Sequence, residues 1–327
     1  MSVPRIAAFA REANGAKAPK RAIQGQATLL SRTVHGLDYD PVNDEIVAPV
    51  YEAGAILIYK GESNGASAPV RVVQGDKTML IGPQTAAIDN VHNEILVGDA
   101  SSGTVMVYDR LANGNVPPKR IIHGPRTGLR EITGIAADPK RNLIVVVNMG
   151  ATPEQHGVFI WNRMDQGDVP PKAIIGGKEA GISHARQVVV DSDRGKIYVA
   201  VQGTTFRAVR PYVETAPRPD TTWEDVIDTN NRNERRPSWS NDNGGFIGIW
   251  DINDKGDIPP RAVIKGDLTH VNGCGGVAIS PKEGLVIGVG QNMYATYVVP
   301  QLFTDEFWKT AKPGTIIIDP KNPSATK

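Results

Sequence analysis

The chain has 327 residues, 40% apolar and 22% charged, with a formal net charge of +1. That balance supports a large buried core and leaves no basic footprint for nucleic acid or an anionic membrane surface. The one cysteine, Cys274, excludes an intrachain disulfide, and no apolar run reaches the ~18 residues that a membrane helix needs.

In chain order, Arg5-Ile6-Ala7-Ala8-Phe9 reads as a strand. Pro19-Lys20-Arg21-Ala22-Ile23-Gln24-Gly25 follows as a short strand closed by glycine. The second phrase then recurs as Pro69-Val70-Arg71-Val72-Val73-Gln74-Gly75 and as Pro118-Lys119-Arg120-Ile121-Ile122-His123-Gly124. It returns from Pro171 to Gly177 and from Pro260 to Gly266. A period of roughly 50 residues built from short apolar strands marks a radial or stacked repeat.

Each copy reads as four strands, A to D. In the third, Thr133 to Asp138 is a small-residue strand, Pro139 to Asn142 a turn, and Leu143 to Asn148 a run buried on both faces. Val158 to Asn162 alternates and carries Trp161, and Lys172 to Ile175 is a short outer strand. The turns Asn64-Gly65, Asn113-Gly114, Gln166-Gly167 and Lys255-Gly256 use residues that tolerate positive φ.

These units predict an all-β fold, a single β-propeller of four-stranded blades. Five A–B pairs give five blades. Six is the alternative count if Tyr294 to Val299 and Thr315 to Ile318 add strands. The chain opens on a C–D pair and its last A–B pair lies near 276–290, so the N-terminal strands are expected to complete the last blade and close the ring. The propeller is expected over 1–291, with an insertion at 203–243 between B and C of the fourth copy. Residues 292–327 are expected to form an extension that packs on the propeller or on a partner.

The phrase from Asn113 to Leu129, followed by Gly134-Ile135-Ala136-Ala137-Asp138, resembles the repeat of bacterial NHL-type β-propellers. Val97-Gly98-Asp99 resembles a strand-ending turn of that class, although Pro49, Asn148, Val201 and Gly290 replace Asp99 in the other copies. The likeness covers roughly residues 5–291, excluding the insertion at 203–243, and extends to the gluconolactonase-like superfamily. That superfamily holds metal-dependent lactonases, lyases and many non-enzymatic interaction domains. The resemblance therefore implies a fold more strongly than an activity.

Antiparallel order sends the D–A and B–C loops to one end of the blades, where copies differ most. His35, Arg130, Glu131, Arg186 and Asn272 are expected there as a binding set for a small anion, since guanidinium groups match carboxylates and phosphates. His184, His270 and Cys274 are the candidate metal ligands, imidazole and thiolate suiting zinc or copper. No cofactor is firmly implied; calcium, zinc and copper are the metals considered. Trp223, Arg235, Arg236 and Trp239 in the insertion are candidate interface residues, because aromatics and arginines dominate protein contacts. No P-loop, dinucleotide fingerprint or Gly-x-Ser-x-Gly motif is present.

The expected function is non-catalytic binding of a protein partner or a small anionic ligand on the loop face around the central channel. The alternative is a metal-dependent lactonase- or lyase-like enzyme at the channel mouth. Met1-Ser2-Val3-Pro4-Arg5 does not read as a secretion leader. The expectation is a cytoplasmic protein, or a periplasmic or extracellular one if a leader has been removed.

Overall fold

The structure, a computed structural model, describes residues 4–31, 34–150, 155–202, 245–266, 269, 271, 275–290 and 294–318. The fold is all-β, with five blades of the β-propeller type. The only α-helix among the described residues is α1 (Asp305–Thr310).

A short N-terminal pair, β1 (Arg5–Ala8) and β2 (Arg21–Gln24), precedes the blades. Blade one is β3 (Asp38–Asp40), β4 (Glu45–Val50), β5 (Ala55–Lys60) and β6 (Arg71–Gln74). Blade two is β7 (Pro83–Asp89), β8 (Glu94–Asp99), β9 (Thr104–Asp109) and β10 (Arg120–Ile122). Blade three runs β11 (Glu131–Asp138), β12 (Leu143–Met149), β13 (Gly157–Asn162) and β14 (Ala173–Ile175). Blade four runs β15 (Ala185–Asp191), β16 (Lys196–Val201), β17 (Phe246–Asp251) and β18 (Ala262–Lys265). Blade five is described as β19 (Gly276–Ser280), β20 (Leu285–Val289) and β21 (Tyr294–Val298). The last strand, β22 (Thr315–Ile318), joins blade four in parallel beside β18.

By internal packing the chain divides into two compact units, 1–146 with 162–170 and 147–161 with 171–327.

The third strand of the last blade corrects the expectation from the sequence. β1 and β2 pair with each other, whereas β20 pairs with β21, so residues 294–298 fill the place assigned to the N-terminal strands. Tyr297 shows why. In the first, second and fifth blades a third-strand tyrosine donates its hydroxyl to a threonine carbonyl in the preceding turn. The bonds run from Tyr59 to Thr28 at 2.5 Å, from Tyr108 to Thr78 at 2.5 Å, and from Tyr297 to Thr269. Of residues 292–327, expected as an extension, the described 294–318 contribute a blade strand, α1 and a fifth strand of blade four.

The repeated phrase ends in glycine for a backbone reason. Gly25, Gly75, Gly124 and Gly266 hold φ between 112° and 130°, a region that L side chains rarely adopt. Their carbonyls accept the hydroxyls of Thr28, Thr78, Thr127 and Thr269, three residues on, at 2.5–2.6 Å. Burial raises the hydroxyl pKa of Tyr59 and of Tyr108, with the Asp99 charge adding to the second. Replacing Tyr108 with Phe removes one such bond and should cost about 1 kcal/mol in denaturant melts.

At the other end, the aspartate that ends the A strand in blades one to four caps the A–B turn. Asp40 accepts from the Val42 and Asn43 N–H groups, Asp89 from those of Val91 and His92, and Asp191 from that of Asp193. The third strands return to the same turn through one backbone bond in every blade: Gly61 to Asp44, Arg110 to Asn93, Arg163 to Asn142, Ile252 to Gly195 and Val299 to Gly284.

The arginine of the phrase meets a glutamate at the start of the B strand. Arg71 grips Glu45 through two bonds of 2.9 and 2.7 Å, and Arg120 grips Glu94 through two of 2.8 Å. A second arginine reaches each carboxylate from the next blade's turn, Arg110 to Glu45 and Arg163 to Glu94, both at 3.1 Å. Blades three and four change the partners together. Leu143 and Lys196 stand in the glutamate's register, Ala173 and Ala262 in the arginine's, and Lys196 bonds Asp251 at 2.5 Å.

The apolar core lies between consecutive blades, which is why the B and C strands are apolar on both faces. In the first unit, Val47, Ile56, Ile58 and Val73 of blade one pack with Ile95, Val97, Met106 and Tyr108 of blade two. The opposite face of blade one, Ala48, Val50, Leu57 and Tyr59, packs with Ile23 of β2. In the second unit, Tyr198, Ile247 and Ile249 pack with Val277, Val286, Tyr297 and Phe303.

Candidate functional site

The D–A and B–C loops meet at one end of the blades, as antiparallel order requires. Gly54 and Gly103, in the B–C turns of blades one and two, hold φ of 54° and 61°. A Cβ on Gly54 would come within 3.0 Å of the Leu80 carbonyl oxygen, and one on Gly103 within 2.8 Å of that of Arg130. Side chains are excluded there because the next D–A loop crosses against the turn.

Five of the expected site residues lie among those described. In the first unit, His35 and Arg130 are exposed and Glu131, the first residue of β11, is half-buried. In the second, His184 and Arg186 are both half-buried at the start of β15. His270, Asn272 and Cys274 lie outside the described residues, as do Trp223, Arg235, Arg236, Trp239 and the whole 203–243 insertion.

The start of β15 departs from regular strand geometry in two ways. Ala185 faces Val201 and Gln187 faces Ala200, so Arg186 is an extra residue on a β-bulge. Blade two has the same bulge, with Gln84 between Pro83 and Thr85. A bulge re-aims the side chain it carries and is common beside functional sites.

His184 is the second departure. Six described residues other than glycine have positive φ. Leu29 and Met79 close turns where Gly128 and Gly181 do so in later copies, and Asp44, Asn93 and Asn142 occupy the A–B turn, where Gly195 and Gly284 stand later. His184, at φ 56°, has no such counterpart among the described residues. Left-handed backbone costs a non-glycine residue about 1 kcal/mol or more and persists where the surroundings impose it, often at sites of function.

His156 lies beside it. The two imidazoles meet edge to face with centroids 5.7 Å apart, and His156 is buried. His156 follows β12 in a B–C loop and His184 precedes β15 in a D–A loop, so two loop types from adjoining blades supply one histidine each. The fully buried Asn148 closes β12 and donates to the Gln155 carbonyl at 3.5 Å. The Gln202 N–H donates to the His184 carbonyl at 3.3 Å, and Gln187 Oε1 accepts the Val277 N–H at 3.2 Å, fixing β15 to β19.

Two described carboxylates near these loop ends, Asp99 and Asp38, have structural duties. Asp99 accepts from the Ile81 and Gly82 N–H groups at 2.8 Å and from the Ser102 N–H and hydroxyl at 2.9 and 3.0 Å, tying a D–A loop to a B–C turn. Asp38, on β3, accepts from Ile88 of the neighbouring A strand and from Tyr39, both at 2.8 Å. Burial raises its pKa against these two donors. Among the described residues no three His, Cys, Asp or Glu side chains are grouped to hold a metal ion.

Neither the family models nor the curated proteins compared with the chain match it. The fold and the local geometry therefore carry the functional reading.

Proposed function

We propose that this is a non-catalytic binding protein that holds a small anionic ligand where the D–A and B–C loops of blades three and four meet. The likeness of its repeat phrase to bacterial NHL-type propellers belongs to the same proposal. The observation that carries it is the strained His184, set beside the buried His156 and two residues ahead of the bulged Arg186. Two neighbouring imidazoles, a guanidinium two residues beyond one of them and a buried carboxamide at the end of β12 supply several donors, and charge-assisted bonds to an anion from a guanidinium are strong.

The test is calorimetric titration of the full chain with phosphate, sulfate, succinate and citrate. Arg186→Ala should weaken the bound anion about tenfold or more, since hydrogen bonds to charged groups are worth about 1.5–3 kcal/mol. Its melting temperature should stay close to that of the parent. His184→Gly should weaken binding while raising stability by about 0.5–1 kcal/mol, because glycine adopts positive φ without strain. Absence of binding to every anion, or equal affinity in Arg186→Ala, overturns the proposal. Elemental analysis of the same sample separates the enzymatic alternative, since stoichiometric calcium, zinc or copper would favour a metal-dependent activity.

A further inference from the structure

Four blades make their D strand by one rule. A proline stands ten residues beyond the third-strand aromatic, in the pairs Tyr59 and Pro69, Tyr108 and Pro118, Trp161 and Pro171, and Trp250 and Pro260. The D strand begins two residues later, at Arg71, Arg120, Ala173 and Ala262. Blade five contains the same elements more widely spaced. Pro313 stands sixteen residues beyond Tyr297, and β22 begins two residues later at Thr315. The six extra residues equal the length of α1. By its sequence, β22 is the D strand of blade five.

The structure seats it elsewhere. Thr315 faces Ala262 and Ile316 faces Val263 in a parallel ladder on β18, with an irregularity before Ile318. On the D strands β2, β6, β10 and β14 the same outer position is filled by one glycine of the next blade's turn: Gly65 on Ile23, Gly114 on Val73, Gly167 on Ile122 and Gly256 on Ile175. Meanwhile the sheet order of blade five ends at β21, with no fourth strand among the described residues.

We propose that β22 has two seats, the parallel one on β18 and an antiparallel one on β21 that completes blade five. The repeat fixes the second register. Ile58 faces Arg71, Val107 faces Arg120, Ile160 faces Ala173 and Ile249 faces Ala262, each position being one before the aromatic against two after the proline. Thr296 would therefore face Thr315. The N–H one residue after each proline donates to that same third-strand position at 2.7–2.8 Å in all four blades. The Gly314 N–H, which now donates to the Pro260 carbonyl at 2.6 Å, would turn to the Thr296 carbonyl.

The exchange trades a short parallel ladder for an antiparallel one, which is slightly more stable per residue. α1 supplies the hinge and its anchor, with Trp308 donating to the Leu302 carbonyl at 2.8 Å and Lys196 Nζ lying 4.9 Å from its ring centroid. In the second seat the outer edge of β18 is bared, and an open edge is a template for another strand.

The experiment uses the full chain with Cys274→Ser to remove the competing thiol. Thr296→Cys and Thr315→Cys are introduced together, and mild oxidation is followed by mass spectrometry. An intramolecular disulfide in the majority of monomers supports the second seat, since facing antiparallel residues lie within disulfide reach. No disulfide, or one formed only between two chains, in a protein that melts like its parent overturns it. If that variant fails to fold, Ala295→Cys with Ile316→Cys reads the same register with the same two outcomes.

Discussion

Removing residues 1–24 should abolish cooperative melting or lower the midpoint further than any single substitution in the blades. Ile23 is 2% exposed and packs on Ala48, Val50, Leu57 and Tyr59, with Ile6 against the same cluster. Without β1 and β2 that face of blade one loses Ile6 and Ile23 and keeps only partly buried neighbours such as Leu30, Val34 and Leu37 among the described residues. Full burial of one such side chain is worth about 1.5–3 kcal/mol, so uncovering several approaches the 5–15 kcal/mol that a domain has in total. Ile23→Ala should cost about 2–5 kcal/mol and Ile23→Val about 0.5–1.5 kcal/mol. A truncated chain that melts like the full one would show that Ile23 does not hold this face.

Replacing Glu94 with Ala should destabilise the protein by about 3–5 kcal/mol, because it leaves the buried Arg120 and the mostly buried Arg163 without their shared carboxylate. Substituting Leu at 94, Ala at 120 and Ile at 163 copies the residues found at the corresponding positions of the next repeat, Leu143, Ala173 and Ile252, and should recover most of the loss. Well-packed apolar groups often replace a buried ion pair at little cost.

The same carboxylates set the acid response. Arg71, against burial, holds Glu45 at about 2, and burial of Glu94 is outweighed by Arg120 and Arg163, which hold it at about 2 as well. Both values lie below the ordinary 4.5, so their stabilisation is complete above about pH 4.5 and is lost as pH falls toward 2. Denaturant melts between pH 5 and 2 should show the decline, and the Leu, Ala, Ile variant should lose the Glu94 share of it.

The blades were legible because their signals are local. Glycine after the D strand, apolar runs in B and an aromatic in C each fall within a few residues, and all four strand types follow from them. The Glu–Arg pairs were not legible, since Glu94 and Arg120 lie 26 residues apart and only the sheet register joins them. The last blade was misassigned because Tyr294 to Val298 carries the C-strand aromatic, Tyr297, but lacks the usual ten-residue step to proline.

At the site, His184 and Arg186 were legible as polar residues in a variable loop. The bulge and the positive φ were not, because neither changes composition. His156 stands in none of the ligand sets expected from the sequence. It meets His184 only because β13 and β14 return the chain between them.

Five similar phrases in one chain carry a hazard during folding, since a D strand could join the wrong sheet. Repeat proteins commonly fail by such misassembly. The changing residues at the base of the blades act as addresses against it. Arg120 delivered to blade three would meet Leu143 and bury a guanidinium without a counter-charge, and delivered to blade four it would meet the cation Lys196. Ala173 delivered to blade two would leave Glu94 without its two-bond partner. Blades one and two share one address and can be told apart only by neighbouring connections, so an exchange between their D strands is the error this sequence guards against least.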